Sequence, residues 1–172
     1  MTPRRALALL IVCAAVPACV TIGVRRTAEP LLRFVKVDEG LYRGGQPSPK
    51  GIRQLAGMGI RTIVDLRCHS KEMDEERRVA EQLGMRWVNI PVWAWGRPGQ
   101  AQMEQFLAIA IDPAQRPVFV HCRLGRNRTG VMGAIYRMAH DGWTPKQAYV
   151  EARRLGLSRL NLVSRHAILH KR

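Results

Sequence analysis

Residues 117–130 read PVFVHCRLGRNRTG. The run Pro117–His121 is apolar and rich in β-branched and aromatic side chains, the pattern of a buried strand. It ends on Cys122. Five residues intervene before Arg128, and a helix is expected from Thr129 to His140. A strand that ends on a cysteine, followed by a turn rich in glycine and arginine and then by a helix start, suits an oxyanion. The loop amides can point inward, and the helix N-terminus adds positive potential. No Gly-Lys-Ser/Thr run is present, so this is not the lysine-containing nucleotide loop.

Each residue of the loop has a physical role in that reading. A thiolate at Cys122 sits at the centre of the positive field, which lowers its pKa and makes it a nucleophile near neutral pH. The planar fork of Arg128 suits two oxygens of a phosphate. The backbone amides of Arg123, Leu124, Gly125, Arg126, Asn127 and Arg128 face the remaining charge, and Gly125 permits the tight loop. Thr129 can donate to the sulfur, and His121 anchors the loop from behind. Arg123 and Arg126 have two readings: outward solubility charges, or added cations for a polyanionic ligand.

Outward from this segment, strands alternate with helices. Strands are expected at Phe34–Val37, Ile60–Leu66 and Met85–Ile90. Helices are expected from Ser48 (N-cap, with Pro49 at the first position) to about Gly57, over Lys71–Leu83, Gln100–Ile111, Thr144 to about Leu155, and Asn161–His170. Leu41–Ser48 reads as a turn-rich stretch because of its Gly-Gly and Pro. Alternation of this kind predicts an α/β fold, a central mostly parallel sheet flanked by helices on both faces.

The 172 residues suffice for one domain with a real core. With 28 Lys+Arg against 13 Asp+Glu, the formal charge is +15, which favours anionic ligands. The excess is uneven: residues 113–172 carry 12 basic and two acidic side chains, against 14 and 11 in residues 19–112. No nucleic-acid-binding motif accompanies the charge, and no nucleic-acid partner is expected. The four cysteines, at 13, 19, 68 and 122, are spaced irregularly and define neither a zinc site nor a disulfide framework. Cys68 follows a strand and reads as a packed cysteine, with a pairing to Cys122 at the sheet edge as the alternative.

Residues 1–18 read as an export signal: Arg4 and Arg5, then an apolar run from Ala6 to Val16 that is short for a membrane span. Val16-Pro17-Ala18-Cys19 resembles a bacterial lipobox, in which Cys19 becomes lipidated. Ordinary signal cleavage and an uncleaved anchor are the alternatives. All three place the domain outside the cytoplasm, in the cell envelope, with a lipid anchor to the membrane in the first reading. Residues 19–33 then form a linker and 34–172 the domain.

His121-Cys122, five residues, then Arg128-Thr129 resembles the signature of the cysteine-dependent protein tyrosine phosphatases. Leu41–Pro47, Ile63–Arg67 and Asn89–Pro91 resemble segments of their compact dual-specificity branch, bacterial exported members in particular. The resemblance covers about residues 35–155. It implies a protein tyrosine phosphatase-like fold and two-step hydrolysis of a phosphate monoester through a phosphocysteine, with no metal and no cofactor. It implies a phosphorylated protein or another phosphate ester as substrate; inositol phosphates, phosphoinositides or mere phosphoanion binding are the alternatives.

The chain departs from that family at the general acid. The loop Pro91–Gly99 contains no carboxylate, and the position before Arg128, where some relatives place an Asp, holds Asn127. Glu104 and Asp112 read as solvated helix-terminal charges. The cluster Glu72, Asp74, Glu75 and Glu76 reads as a helix face from which a donor could still come. Trp93 and Trp95 read equally as an aromatic wall at the pocket or as core packing.

Overall fold

A computed structural model describes residues 30–93 and 97–170. The export signal, Cys19, most of the linker and Trp95 therefore lie outside the described residues. Eleven elements follow in order: β1 (Val35–Lys36), β2 (Leu41–Gly45), α1 (Pro49–Gly57), β3 (Thr62–Asp65), α2 (Lys71–Gln82), β4 (Arg86–Asn89), α3 (Gln100–Ile111), β5 (Val118–Cys122), α4 (Asn127–His140), α5 (Pro145–Arg154) and α6 (Leu162–Leu169). The sheet order is β1-β2-β5-β3-β4. Only β1 pairs antiparallel; β2, β5, β3 and β4 are parallel neighbours. Among the described residues no helix is long and apolar enough to cross a membrane.

Side-chain alternation splits the core into two halves. Ile63 of β3 and Phe119 of β5 face α1 and α2, where they meet Ile52, Leu55, Val79 and Ala80. Val64, Val118 and Val120 face the other way, toward Phe106 of α3, Val131 and Ile135 of α4, and Ile168 of α6. Both faces are covered, so the middles of the central strands, Ile63-Val64 and Val118-Phe119-Val120, are apolar on both sides. Each large side chain buried there contributes roughly 1.5–3 kcal/mol. The same period of two turns His121 toward α2 and Cys122 toward α4, and this division arranges the site.

The helix starts match their chemistry. Ser48 caps α1 by accepting from the Gly51 amide at 3.1 Å, with Pro49 in the first turn. Thr144 and Gln147 form a reciprocal box at the start of α5.

One expected turn is a strand. Leu41–Gly45 pairs in parallel with β5, Gly44 opposite His121 and Gly45 opposite Cys122. The two glycines serve close approach rather than a bend. A Cβ on Gly44 would sit 2.9 Å from the Phe119 ring, and one on Gly45 would sit 2.9 Å from Leu32. Gly45 also donates to the Leu32 carbonyl at 2.7 Å, so the packed unit reaches back to Pro30 and Leu32.

Candidate active site

β5, the loop 123–126 and α4 form the expected strand, loop and helix, with α4 starting at Asn127 rather than Thr129. No side chain caps α4, so its first amides remain available to an anion. Gly125 adopts φ +66°, and a Cβ there would lie 2.5 Å from the carbonyl carbon of Gly44. Both conformation and space demand glycine at that point.

Arg43 fixes the loop from beneath. Its side chain is buried in β2, and its Nη2 donates to the Gly125 carbonyl at 3.0 Å. Gly130 and Gly133 of α4 leave it room: a Cβ on Gly133 would lie 3.4 Å from its Nη1. Burial pushes the guanidinium down to about 10, opposed by the negative charges of Cys122 and Glu151, so it stays a cation at neutral pH.

Cys122 is buried at the end of β5. Burial opposes its ionisation, yet the thiol is held below its ordinary value. Hydrogen bonds from the Thr129 hydroxyl and amide, the charge of Arg128 and the Leu124 amide outweigh the burial. The Thr129 hydroxyl is buried with no hydrogen-bond partner among the described residues, so its proton is available to the thiolate or to a bound ligand. Arg128 is half-buried. Its Nη1 donates to the carbonyls of Leu66 and Val92, each at 3.1 Å. These bonds pin the fork between the end of β3 and the loop that follows β4. A thiolate stabilised by a nearby cation, beside a helix start whose amides carry no side-chain cap, is suited to attack on a bound oxyanion.

Removing the buried charge at Arg43 should loosen that hold on the thiolate. In an Arg43→Met protein, the pH midpoint for alkylation of Cys122 by iodoacetamide is expected to rise. An unchanged midpoint would assign Arg43 to packing alone.

Behind the loop lies a buried charge network. His121 Nε2 sits 2.7 Å from Glu76 Oε1, and Trp87 Nε1 donates to the same oxygen at 3.1 Å. Arg67 Nη2 bridges Glu76 at 2.7 Å and Asp65 at 2.8 Å. Burial disfavours a charged His121, but Glu76 and Asp65 overcome it and raise its pKa. Asp65, Glu76 and His121 come close enough together to suggest a metal site, but the Arg67 cation already bridges both carboxylates. Asp38, His140 and Asp141 form a second such group, and Arg116 and Arg137 pair its two carboxylates. A Glu76→Leu protein should lose about 3–5 kcal/mol in chemical denaturation, because Arg67 and His121 would be left as buried charges short of a partner. A loss under about 1 kcal/mol would mean the network is not structural.

The other expected residues separate into distinct roles. Arg123 and Leu124 are exposed beside the pocket mouth. Arg126 turns aside, donating from Nε to the Gly156 carbonyl at 2.9 Å. Asn127 accepts from the Ser158 amide at 3.0 Å, which ties the loop between α5 and α6 to the start of α4. Cys68 is not a packed core residue: it is exposed, 3.9 Å from the Val92 carbonyl that also binds Arg128. The chain has left the sheet by that point, so no second layer covers it. Trp93 is 79% exposed and packs in no core. Glu104 accepts from Gln100, and Asp112 caps the turn at Ala114 and Gln115, so neither faces the loop.

Two clefts open on the loop. One, of about 440 Å3, is lined by Gln46, Arg67, Ser70, Glu72, Arg123 and Arg128. The other, of about 530 Å3, includes Cys122, Leu124, Arg126, Ser158 and Leu160. Leu160 is 91% exposed, and this second side is the more apolar. Arg43, Arg67 and Glu76 are the site residues that the motif alone does not reveal.

Known proteins share both sequence and fold with the chain. Residues 24–166 match the family described as PTP-NADK: DSP-PTPase phosphatase fused to NAD+ Kinase. Over 133 residues the chain is 29% identical to dual specificity protein phosphatase TpbA of Pseudomonas aeruginosa strain UCBPP-PA14, covering 76% of this chain and 58% of that protein. Over 122 residues it is 29% identical to inositol diphosphatase DSP2 of Oryza sativa subsp. japonica, covering 63% of this chain and 55% of that protein. The chain thus spans a little over half the length of these curated relatives. A solved structure of a cysteine-to-serine form of P. aeruginosa TpbA in complex with pTyr has the same fold. Its TM-score is 0.67 at 20% identity, covering 83% of this chain and 90% of that one.

Proposed function

The chain belongs to the PTP-NADK family of DSP-PTPase phosphatases, and from that membership we propose that it hydrolyses phosphate monoesters through a phosphocysteine on Cys122. The observation that carries the proposal is the buried Cys122 at the end of β5, facing the tight loop at Gly125 and the uncapped start of α4, with its thiol held below the ordinary range by Thr129, Arg128 and Leu124. The phosphate of the substrate sits against the sulfur, within reach of the loop amides and Arg128. The Cys122 thiolate attacks phosphorus, and the loop amides with Arg128 stabilise the charge that builds on the oxygens. Thr129 then holds the departing thiolate when water cleaves the intermediate. His121 is the positioning residue behind the nucleophile, fixed by Glu76.

The substrate we favour is a phosphotyrosine-type ester. The apolar side of the pocket mouth, with Leu124 and Leu160, suits an aryl ring, and the TpbA relative was solved with pTyr. A second reading, an inositol polyphosphate or diphosphate, is favoured by Arg67 and Arg123 on the other cleft and by the inositol diphosphatase relative. The experiment that separates them compares kcat/KM for a phosphotyrosyl peptide and an inositol diphosphate. A higher value for the peptide supports the first reading, and the reverse replaces it with the second.

The export pattern in residues 1–18 supports a place in the bacterial cell envelope, with Cys19 lipidated and the domain held at the membrane. Metabolic labelling with a radioactive fatty acid tests this: label lost in a Cys19→Ser protein supports the anchor, and unlabelled wild-type protein removes it.

A further inference from the structure

Hydrolysis of a phosphocysteine needs a group to take the proton of the attacking water. The loop Pro91–Gly99 has no carboxylate, and Asn127 is committed to Ser158. Asp65 and Glu76 are buried and locked to Arg67. Asp38, Asp141 and Glu151 bind Arg116 and Arg137, away from the loop. Asp74 lies between His69 and Arg77. Among the described residues lining the two clefts beside the loop, Glu72 is the single carboxylate. It shares its cleft with Arg128 and Arg123.

Resting on the phosphatase reading above, we propose that Glu72 is the general base of the second step, in which the phosphocysteine on Cys122 is hydrolysed. The water oxygen attacks phosphorus as one of its protons passes to the Glu72 carboxylate. The phosphorus–sulfur bond breaks with its electron pair going to sulfur, which restores the thiolate, and inorganic phosphate leaves.

The surroundings of Glu72 fit a base better than an acid. The Ser70 hydroxyl, the amide of Glu72 itself and the Arg67 and Arg123 guanidiniums hold its carboxyl below the usual range. It sits in the first turn of α2, where the helix N-terminus also favours the anion. It is exposed on the cleft that Arg123 and Arg128 also line, where a water can reach its carboxylate. A group that is already a carboxylate is poorly placed to protonate a leaving group in the first step. The enzyme is then restricted to leaving groups that depart without a proton, such as a phenolate or a phosphate, and discriminates against the alkoxides of phosphoserine and phosphothreonine.

Rapid-mixing kinetics with p-nitrophenyl phosphate test the assignment, because nitrophenolate leaves without a proton. In wild type, the whole turnover depends on Cys122. In Glu72→Gln, the first nitrophenolate should appear as a burst approaching one per enzyme. The steady rate should fall by about 100-fold or more, with Glu72→Asp recovering part of it. Glu75→Gln, an exposed change on the same helix, should match wild type. A Glu72→Gln protein with an unchanged steady rate, or one that loses the burst itself, would overturn the role. A Glu72→Gln protein whose melting temperature falls while both kinetic phases are kept would assign Glu72 to the helix alone and likewise overturn it. Absence of Cys122-dependent turnover in wild type would instead remove the phosphatase reading on which the role rests.

Discussion

A Cys122→Ser protein is expected to retain substrate and lose turnover, by on the order of 10^4-fold or more, the scale on which covalent enzymes suffer when the nucleophile is removed. The cause lies in the field around the side chain. Thr129, Arg128 and the Leu124 amide stabilise a thiolate at this position. A serine hydroxyl does not ionise near neutral pH, and its neighbour His121 cannot take the proton, because it turns to the opposite face of β5 and is bound to Glu76. The donors that would hold the phosphate are untouched. The serine protein should therefore still bind a phosphotyrosyl peptide in calorimetry while releasing no phosphate. Loss of both binding and turnover would place Cys122 in the scaffold rather than in the chemistry. Turnover within about tenfold of wild type would put the nucleophile elsewhere.

Arg128→Lys should be nearly as damaging, although the charge is kept. Arg128 gives one nitrogen to the Leu66 and Val92 carbonyls and so presents the rest of a fixed plane to the ligand. A lysine ammonium is a point donor on a flexible stem. It cannot hold both carbonyls and also contact two phosphate oxygens. Loss of one aligned donor to a transition-state oxyanion costs about 10^2–10^3 in rate, and kcat should fall by at least that much. KM should move less, because the amides of residues 123–128 still bind the ground state. Near-normal kcat in Arg128→Lys would refute the bidentate role. A fall confined to KM would reduce Arg128 to a binding charge.

The parts of the site that were legible in the sequence are those set by local chemistry. Val118–Cys122 declares a buried strand by its β-branched and aromatic run, and Gly125 and the helix start after it declare the loop. Leu41–Gly45 was not legible, because Gly44 and Gly45 favour turns by themselves. Their place in a strand depends on the Phe119 ring and on Leu32, neither of them near in sequence to both glycines. Arg43 lies two residues after buried Leu41, so the strand alternation would have turned it inward had the strand been seen.

Glu76 was hidden in the acidic cluster Glu72, Asp74, Glu75 and Glu76 at the start of α2. One signal could have found it: Met73, Glu76, Val79 and Ala80 share the helical spacing of the buried face, whereas Asp74 and Glu75 do not. Cys68 read as packed because cysteines commonly are, but the chain passes the sheet edge after Leu66 and leaves it exposed. The cleft on which Glu72 opens is assembled from residues at 46, 67, 72, 123 and 128, and no spacing rule joins those positions.

The central claim is a covalent phosphoryl group on Cys122. Wild-type protein and its Glu72→Gln form, mixed with an aryl phosphate and denatured during turnover, can be digested and weighed peptide by peptide. The peptide that contains Cys122 should carry the mass of one phosphoryl group, in greater yield in the Glu72→Gln protein, and the label should disappear in Cys122→Ser. Steady phosphate release with Cys122 unmodified at every quench time, or a phosphoryl group on any other residue, would contradict it.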